Sequence, residues 1–434
     1  GVNSITFNGQ AGNDTINISA FTPSFPSLTV NGGVGDDIVN FNGNITFASN
    51  ANLDVDLQND DPSPGVDLVN FNSGANVILS GTGTATVKVS RNITFNPNSK
   101  LQVANGDVNL EANQQASATS GNFVGVRMTT ATITTTGTGK ISVKGKGGND
   151  TPTPAHMGLR LTASTINSTS AAAGAGTITL NGTGGTGVNQ NRGVQFDNSA
   201  SAASVTGDIS ITGQGGISTT SSNQTGVQIG LASSVVSTGT AKITIDGTGG
   251  QGTSSNTGAR FSDQFTKVTS AGGDIKITGH GGPGTTVGNH GVSVAFGALV
   301  SATGGARITL DGTAGGSAVA GSGSNTGVIV AQVDTDSAKV TSDSGDILIT
   351  GVGGSGGGGG NIGVNVNSTA IVAATGSANI TINGTSGAGG GDDCYGVDFE
   401  SGGLAGTAVT AVNGNINVTG TSVAATGLRQ NRIR

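Results

Sequence analysis

The sequence predicts an all-β chain wound as a parallel β-solenoid, with three short strands per coil and about 34 residues per coil. Three observations carry that prediction. A short β-branched phrase that closes in glycine recurs along most of the chain. A second phrase, glycine followed by valine or leucine, trails each copy of the first. Within both, apolar and polar residues alternate at period two, which is the period of a strand and not of a helix.

The first phrase reads Ile141-Ser-Val-Lys-Gly145, Ile178-Thr-Leu-Asn-Gly182, Ile209-Ser-Ile-Thr-Gly213 and Ile243-Thr-Ile-Asp-Gly247, and continues to Ile416–Gly420. The second appears as Gly125-Val126, Gly158-Leu159, Gly193-Val194, Gly226-Val227 and onward to Gly427-Leu428. A third, weaker phrase precedes the isoleucine run, as in Val268-Thr-Ser270 and Val340-Thr-Ser342. No single repeat can bury its apolar face, whereas stacked repeats share one continuous core. The segment from the second phrase to the next closing glycine keeps a nearly constant length of 20 to 24 residues, while the return arc varies from 7 to 15. Stacked strands cannot absorb such variation, so the arc is expected to be a protruding loop.

Composition limits what such a chain does. Glycine supplies 79 of 434 residues, without the every-third-residue placement of collagen. A net charge of −7 from few ionisable residues leaves an Asn-, Thr-, Ser- and Gly-rich surface, with no basic stripe expected for nucleic acid. Cys394 is the sole cysteine, which excludes a disulfide framework. No apolar run reaches the roughly 20 residues of a membrane-spanning helix.

A charge ladder stands directly before the isoleucine run: Asp208, Lys242, Asp274, Arg307 and Asp346 in successive repeats. If one repeat is one coil, these residues occupy adjacent rungs, where alternating charges each gain about 0.2–1 kcal/mol and fix the vertical register. Duplication of two-coil units is the competing origin of the alternation.

Two regions are expected: an irregular, phenylalanine-richer solenoid over residues 1–100, and a regular solenoid of about ten coils over residues 101–434. In the first, Asn44-Ile-Thr-Phe47 resembles Asn92-Ile-Thr-Phe95, and larger side chains are expected to fill a wider or distorted core. Phe21 is among them, and Pro23, Pro26, Pro62 and Pro64 mark loops. Asp14, Asp36 and Asp37 lie in Gly-rich turns that resemble calcium-binding nonapeptides. Calcium is the one cofactor this pattern suggests, and plain turn chemistry is the competing reading, because the turns lie 23 residues apart and not nine.

Enzymatic constellations are sparse. Gly279-His280-Gly281 resembles a glycosidase triplet, but sister coils read Gly213-Gln-Gly215 and Gly351-Val-Gly353, so the repeat explains the glycines. His156, His280 and His290 are scattered. Thr179, Thr244 and Thr309 share an outward column that Lys276 and Leu348 interrupt, against a flat ice-binding array. Asp392-Asp393-Cys394-Tyr395 departs from the repeat inside one arc and is the candidate contact loop.

These turns and strands resemble large bacterial exoproteins of the filamentous-haemagglutinin or autotransporter-passenger type, in style and period over nearly the whole chain. The resemblance implies a right-handed parallel β-helix, an extracellular or cell-surface location, and an adhesive or structural role without catalysis. Expected partners are further copies of the chain or cell-surface and matrix glycans. A self-assembling filament or surface-layer subunit is the alternative, and a polysaccharide-binding or polysaccharide-cleaving β-helix is the third.

Overall fold

The computed structural model describes residues 3–20, 24–58, 65–218, 220–317, 321–332, 336–367, 369–389, 391–400, 408–423 and 433–434. Phe21, Pro23, Pro62, Pro64, Gly427 and Leu428 lie outside the described residues. Those described form 39 strands and no helix, so they contain no helix long and apolar enough to cross a membrane. The strands build three parallel sheets of 14, 13 and 12 strands, visited in turn by a chain that needs roughly 33 residues per coil. At about 4.8 Å between rungs, the longest sheet extends some 60 Å along the axis.

Each sequence phrase occupies its own sheet. The isoleucine runs, from Ile141–Lys146 to Ile416–Thr421, lie in the first. The Gly-Val strands, such as Val126–Thr129 and Val194–Asp197, form the second. Val-Thr-Ser strands, such as Lys267–Ser270, form the third. Register is residue-for-residue: Ile209 faces Ile243, which faces Ile275. Alternation then points one apolar set inward throughout, into a single buried cluster running from Ile18 to Val397.

The arcs have a steric cause. A Cβ on Gly213 would meet the Gly226 carbonyl oxygen at 2.2 Å, and one on Gly247 would meet that of Gly258 at 2.1 Å. The closing glycine of the first phrase therefore abuts the leading glycine of the second. The chain leaves the first sheet, makes its excursion and re-enters beside its exit point. Both phrases need glycine for this close approach, and the pinch leaves the excursion free to vary in length.

The arcs stack as well as protrude. Asn149, Thr186, Ile217 and Gln251 form backbone bridges from arc to arc. Beneath them runs a buried column: Asn191, Gln224, Asn256, Asn289, Asn325 and Asn361. Each accepts, through its side-chain oxygen, the backbone N–H of the equivalent residue one coil earlier, as from Gln224 to Asn256 (3.3 Å) and from Asn289 to Asn325 (2.9 Å). Several side-chain amides then donate to arc carbonyls, as from Asn361 Nδ2 to Gly356 and Gly358. The column thus satisfies amides that burial would otherwise leave unpaired.

The first hundred residues depart from expectation in two ways. Asn44–Thr46 belongs to the third sheet and Asn92–Phe95 to the second, so these look-alike phrases are not equivalent. Several coils are shorter, not wider: Asp14 bonds directly to Asp37, 23 residues on. The phenylalanines form an internal stack, Phe41 on Phe71 at 4.7 Å and Phe71 on Phe95 at 4.1 Å between ring centroids. Pro26 precedes the strand Ser27–Val34.

Candidate functional site

The outer face of the second sheet carries one in-register column of polar side chains. It begins as an asparagine ladder, with Asn40 Nδ2 donating to Asn17 Oδ1 (3.1 Å) and Asn70 Nδ2 to Asn40 Oδ1 (3.0 Å). It then turns cationic: Thr94 faces Arg127, Arg127 faces Arg160, and two rungs after Gln195 comes Arg260. Arg127 and Arg160 are direct cross-strand partners, an arrangement of like charges that costs stability unless something neutralises it.

Part of this face is internally compensated. Arg160 reaches Asp197 Oδ2 through Nη2 (3.1 Å) and Nε (3.2 Å). The buried Arg192 donates to Gln195 Oε1 (2.7 Å), and Gln195 Nε2 donates to Asp197 Oδ2 (2.8 Å). Burial first, then the neighbouring Arg260 and Arg160, pull Arg192 down to about 10, opposed by Asp197. Burial and then Arg260 hold His290 down to about 4. Its Nδ1 accepts the Thr326 N–H (3.2 Å), as a neutral ring does.

A step opens at the start of the arcs. Between strands Ala85–Val89 and Asn92–Phe95 the chain spends only Ser90 and Arg91, whereas the next coil inserts residues 113–125 before Val126–Thr129. The arcless coil thus lies beside the wall of its neighbours' arcs, and between them is a cleft of about 430 Å³. Arg91, Arg127 and Arg160 line it, with Asn70, Asn92 and Asn122, and no carboxylate is in its lining. The Arg91 guanidinium sits over the Phe123 ring, 5.1 Å from its centroid. Among the described residues no ion pair engages Arg91 or Arg127. The expectation of no basic stripe is therefore corrected: five of the nine arginines collect on this one face.

The residues singled out in the sequence lie elsewhere. Asp14, Asp36 and Asp37 do come onto adjacent coils, because 23 residues make one full coil here. Asp37 Oδ1 accepts the backbone N–H of Asp14 (2.8 Å) and Asp36 Oδ1 that of Val66 (2.8 Å). Among the described residues no group of three or more His, Cys, Asp or Glu is placed to hold a metal ion.

The ladder Asp208, Lys242, Asp274, Arg307 and Asp346 stacks on successive rungs as expected, yet the contact differs. Asp208 Oδ1 accepts the backbone N–H of Lys242 (2.8 Å), Asp274 that of Arg307 (2.9 Å), and Asp346 that of Asn379 (2.9 Å). No ion pair joins these side chains. The alternation also follows turn geometry. In the tight turns the aspartate follows Gly207, Gly273 or Gly345, where a Cβ would meet a carbonyl oxygen of the coil below at 2.0 Å. In the longer turns the cation follows Ala241 or Ala306.

Of the candidate contact loop, Asp392 is exposed and Asp393 half-buried, but Cys394 and Tyr395 are buried and correct the expectation of a contact tip there. Cys394 follows Asn361 in the amide column, three residues before the strand Val397–Glu400, and Tyr395 lies under the Arg434 guanidinium (4.9 Å). His156 opens the same column, its backbone N–H donating to Asn191 Oδ1 (3.1 Å), while His280 ends the first-sheet strand Ile275–His280, exposed.

No known protein family, curated protein or solved structure matches this chain.

Proposed function

We propose that this chain is a rigid stalk or fibre segment of an extracellular, cell-surface protein, serving adhesion or structure without catalysis. The observation that carries this reading is the unbroken residue-for-residue register of three parallel sheets around one core. Such a body resists bending because every rung is bonded to two others, and it holds surface side chains at fixed intervals. The polar columns serve the same end, since they spend side chains on vertical register. The three histidines support the non-catalytic reading: one sits in the amide column, one is exposed at a strand end, and one is neutral beside Arg260.

Electron microscopy of the isolated chain tests the proposal. Discrete straight rods about 60 Å long are expected. Long fibres with that axial repeat would favour the filament-subunit alternative, and flexible or compact particles would overturn both.

A further inference from the structure

We propose that the step-shaped cleft formed by Arg91, Arg127 and Arg160 binds the carboxylate or sulfate groups of an acidic polysaccharide. The inference deepens the adhesive reading by naming a ligand class, and it rests on that reading only for the source of the ligand.

Arg127 and Arg160 project from directly paired positions on neighbouring strands, with Arg91 lining the same hollow. Of these three, Arg160 is the one in an ion pair among the described residues, with Asp197, which leaves two guanidinium groups facing one cleft in a chain of net charge −7. An anion seated between them would relieve the repulsion, and a planar guanidinium presents paired donors that match the two oxygens of a carboxylate or sulfate.

Shape adds a second line. The cleft exists because one coil lacks the arc that its neighbours carry, so it is part of the backbone plan and not a gap between mobile side chains. Its volume of about 430 Å³ falls within the range of small-ligand clefts. Phe123 beneath Arg91 holds that guanidinium in place. The asparagines identify the polymer. Asn70, Asn92 and Asn122 offer neutral donors and acceptors beside the charges, as a sugar ring with hydroxyl groups between its acidic groups requires. Single-stranded nucleic acid would need open aromatic faces for its bases, and the one aromatic ring in the cleft is buried under Arg91.

The test is binding of the full chain, by calorimetry at near-physiological ionic strength, to four polymers: alginate (carboxylated), dextran sulfate (sulfated), dextran (neutral) and single-stranded DNA. Binding to alginate or dextran sulfate but not dextran is expected, and the preferred one of the two identifies the acidic group. Arg127→Gln should weaken that binding about tenfold or more, while Lys276→Gln, which removes the same charge from the exposed first sheet, should change it less than about twofold. The thermal midpoint of Lys276→Gln should match the parent chain and that of Arg127→Gln should match or exceed it, since the like-charge pair is gone; Arg91→Gln gives a second reading should Arg127→Gln fold poorly. Absence of binding to both acidic polymers, equal or tighter binding to DNA, or equal losses in the Arg127 and Lys276 variants would overturn the proposal. None of these outcomes bears on whether the particle is a rod, so the two proposals fail separately.

Discussion

The coils that begin with Ser4–Ala11 and Ala85–Val89 and those that follow Val108–Ala112 share three sheets and one core, yet they turn the same corner differently. The early coils that begin with Ser4–Ala11, Ser27–Val34 and Ala85–Val89 cross from the first sheet to the second in two or three residues, and the one that begins with Leu53–Leu57 takes ten. There a carboxylate column takes up the backbone amides: Asp37 accepts from Asp14, Asp67 from Asp37 (2.7 Å), and Ser90 from Asp67 (3.0 Å). Later coils insert an arc, pinch its ends between two glycines, and replace the carboxylates with asparagine amides. The difference teaches that the strands set the cross-section and that the corner is free to grow. Growth needs only a close backbone approach and an internal acceptor for every buried amide. Where one regime meets the other, the missing arc leaves the arginine cleft.

The largest effect expected from breaking this arrangement is at the pinch. Gly213→Ala should cost about 3 kcal/mol, because its Cβ would press on the Gly226 carbonyl with backbone on both sides. Gly305→Ala, with nothing within 4 Å, should change stability by less than about 0.5 kcal/mol. Denaturant titration of the pair decides the matter, since equal losses would mean that glycine serves these coils by flexibility and not by contact.

Next come the two columns. Asn256→Ala strands the buried Gln224 amide and Asp37→Ala strands that of Asp14, each for about 2 kcal/mol. If the columns do the same work, the two losses agree. A loss confined to the asparagine would make the carboxylate column dispensable.

A smaller, pH-dependent effect belongs to the later coils alone. Burial and Arg260 keep His290 neutral down to about 4, whereas the unfolded histidine titrates near 6.5. Between those values the unfolded chain holds the extra proton. This contribution to stability is therefore complete above about pH 6.5 and lost as pH falls toward 4. Allowing for the partial exposure of the ring, it amounts to about 1–2 kcal/mol. Melting curves of the parent chain and of His290→Gln should converge across that window, and parallel curves would remove the histidine from the account.

The smallest effect separates two readings of the charge ladder. Asp208→Ala should cost about 1 kcal/mol by removing the acceptor of the Lys242 amide, while Lys242→Ala should be nearly neutral and insensitive to salt. Comparable, salt-dependent losses in both would restore the ion-pair reading.

Much of this was legible in the sequence because it repeats: the three phrases, their sheets, and the rungs on which Asp208 and Lys242 meet all follow from period and alternation. What each ladder residue touches did not follow, since register places side chains but does not choose between a side-chain and a backbone partner. The amide column escaped notice because asparagine is common at many polar positions, and because His156, Gln224 and Cys394 interrupt its letters. The arginine face was hidden by the arcs. Arg127 and Arg160 follow Gly125-Val126 and Gly158-Leu159 at the same offset, so their stacking could be read, but Arg91 joins them only because its coil lacks the arc.

Native-state hydrogen exchange across the junction of the two regimes decides whether one core serves both kinds of corner. One core shared by both kinds of corner predicts slow, common exchange for the first-sheet strands from Leu53–Leu57 through Ile380–Thr385, together with the buried amides of Gln224, Asn256 and Asn289 inside the arcs. A break in protection between Ala85–Val89 and Ile141–Lys146 would contradict it, and would make the arcless and arc-bearing coils two units that open independently.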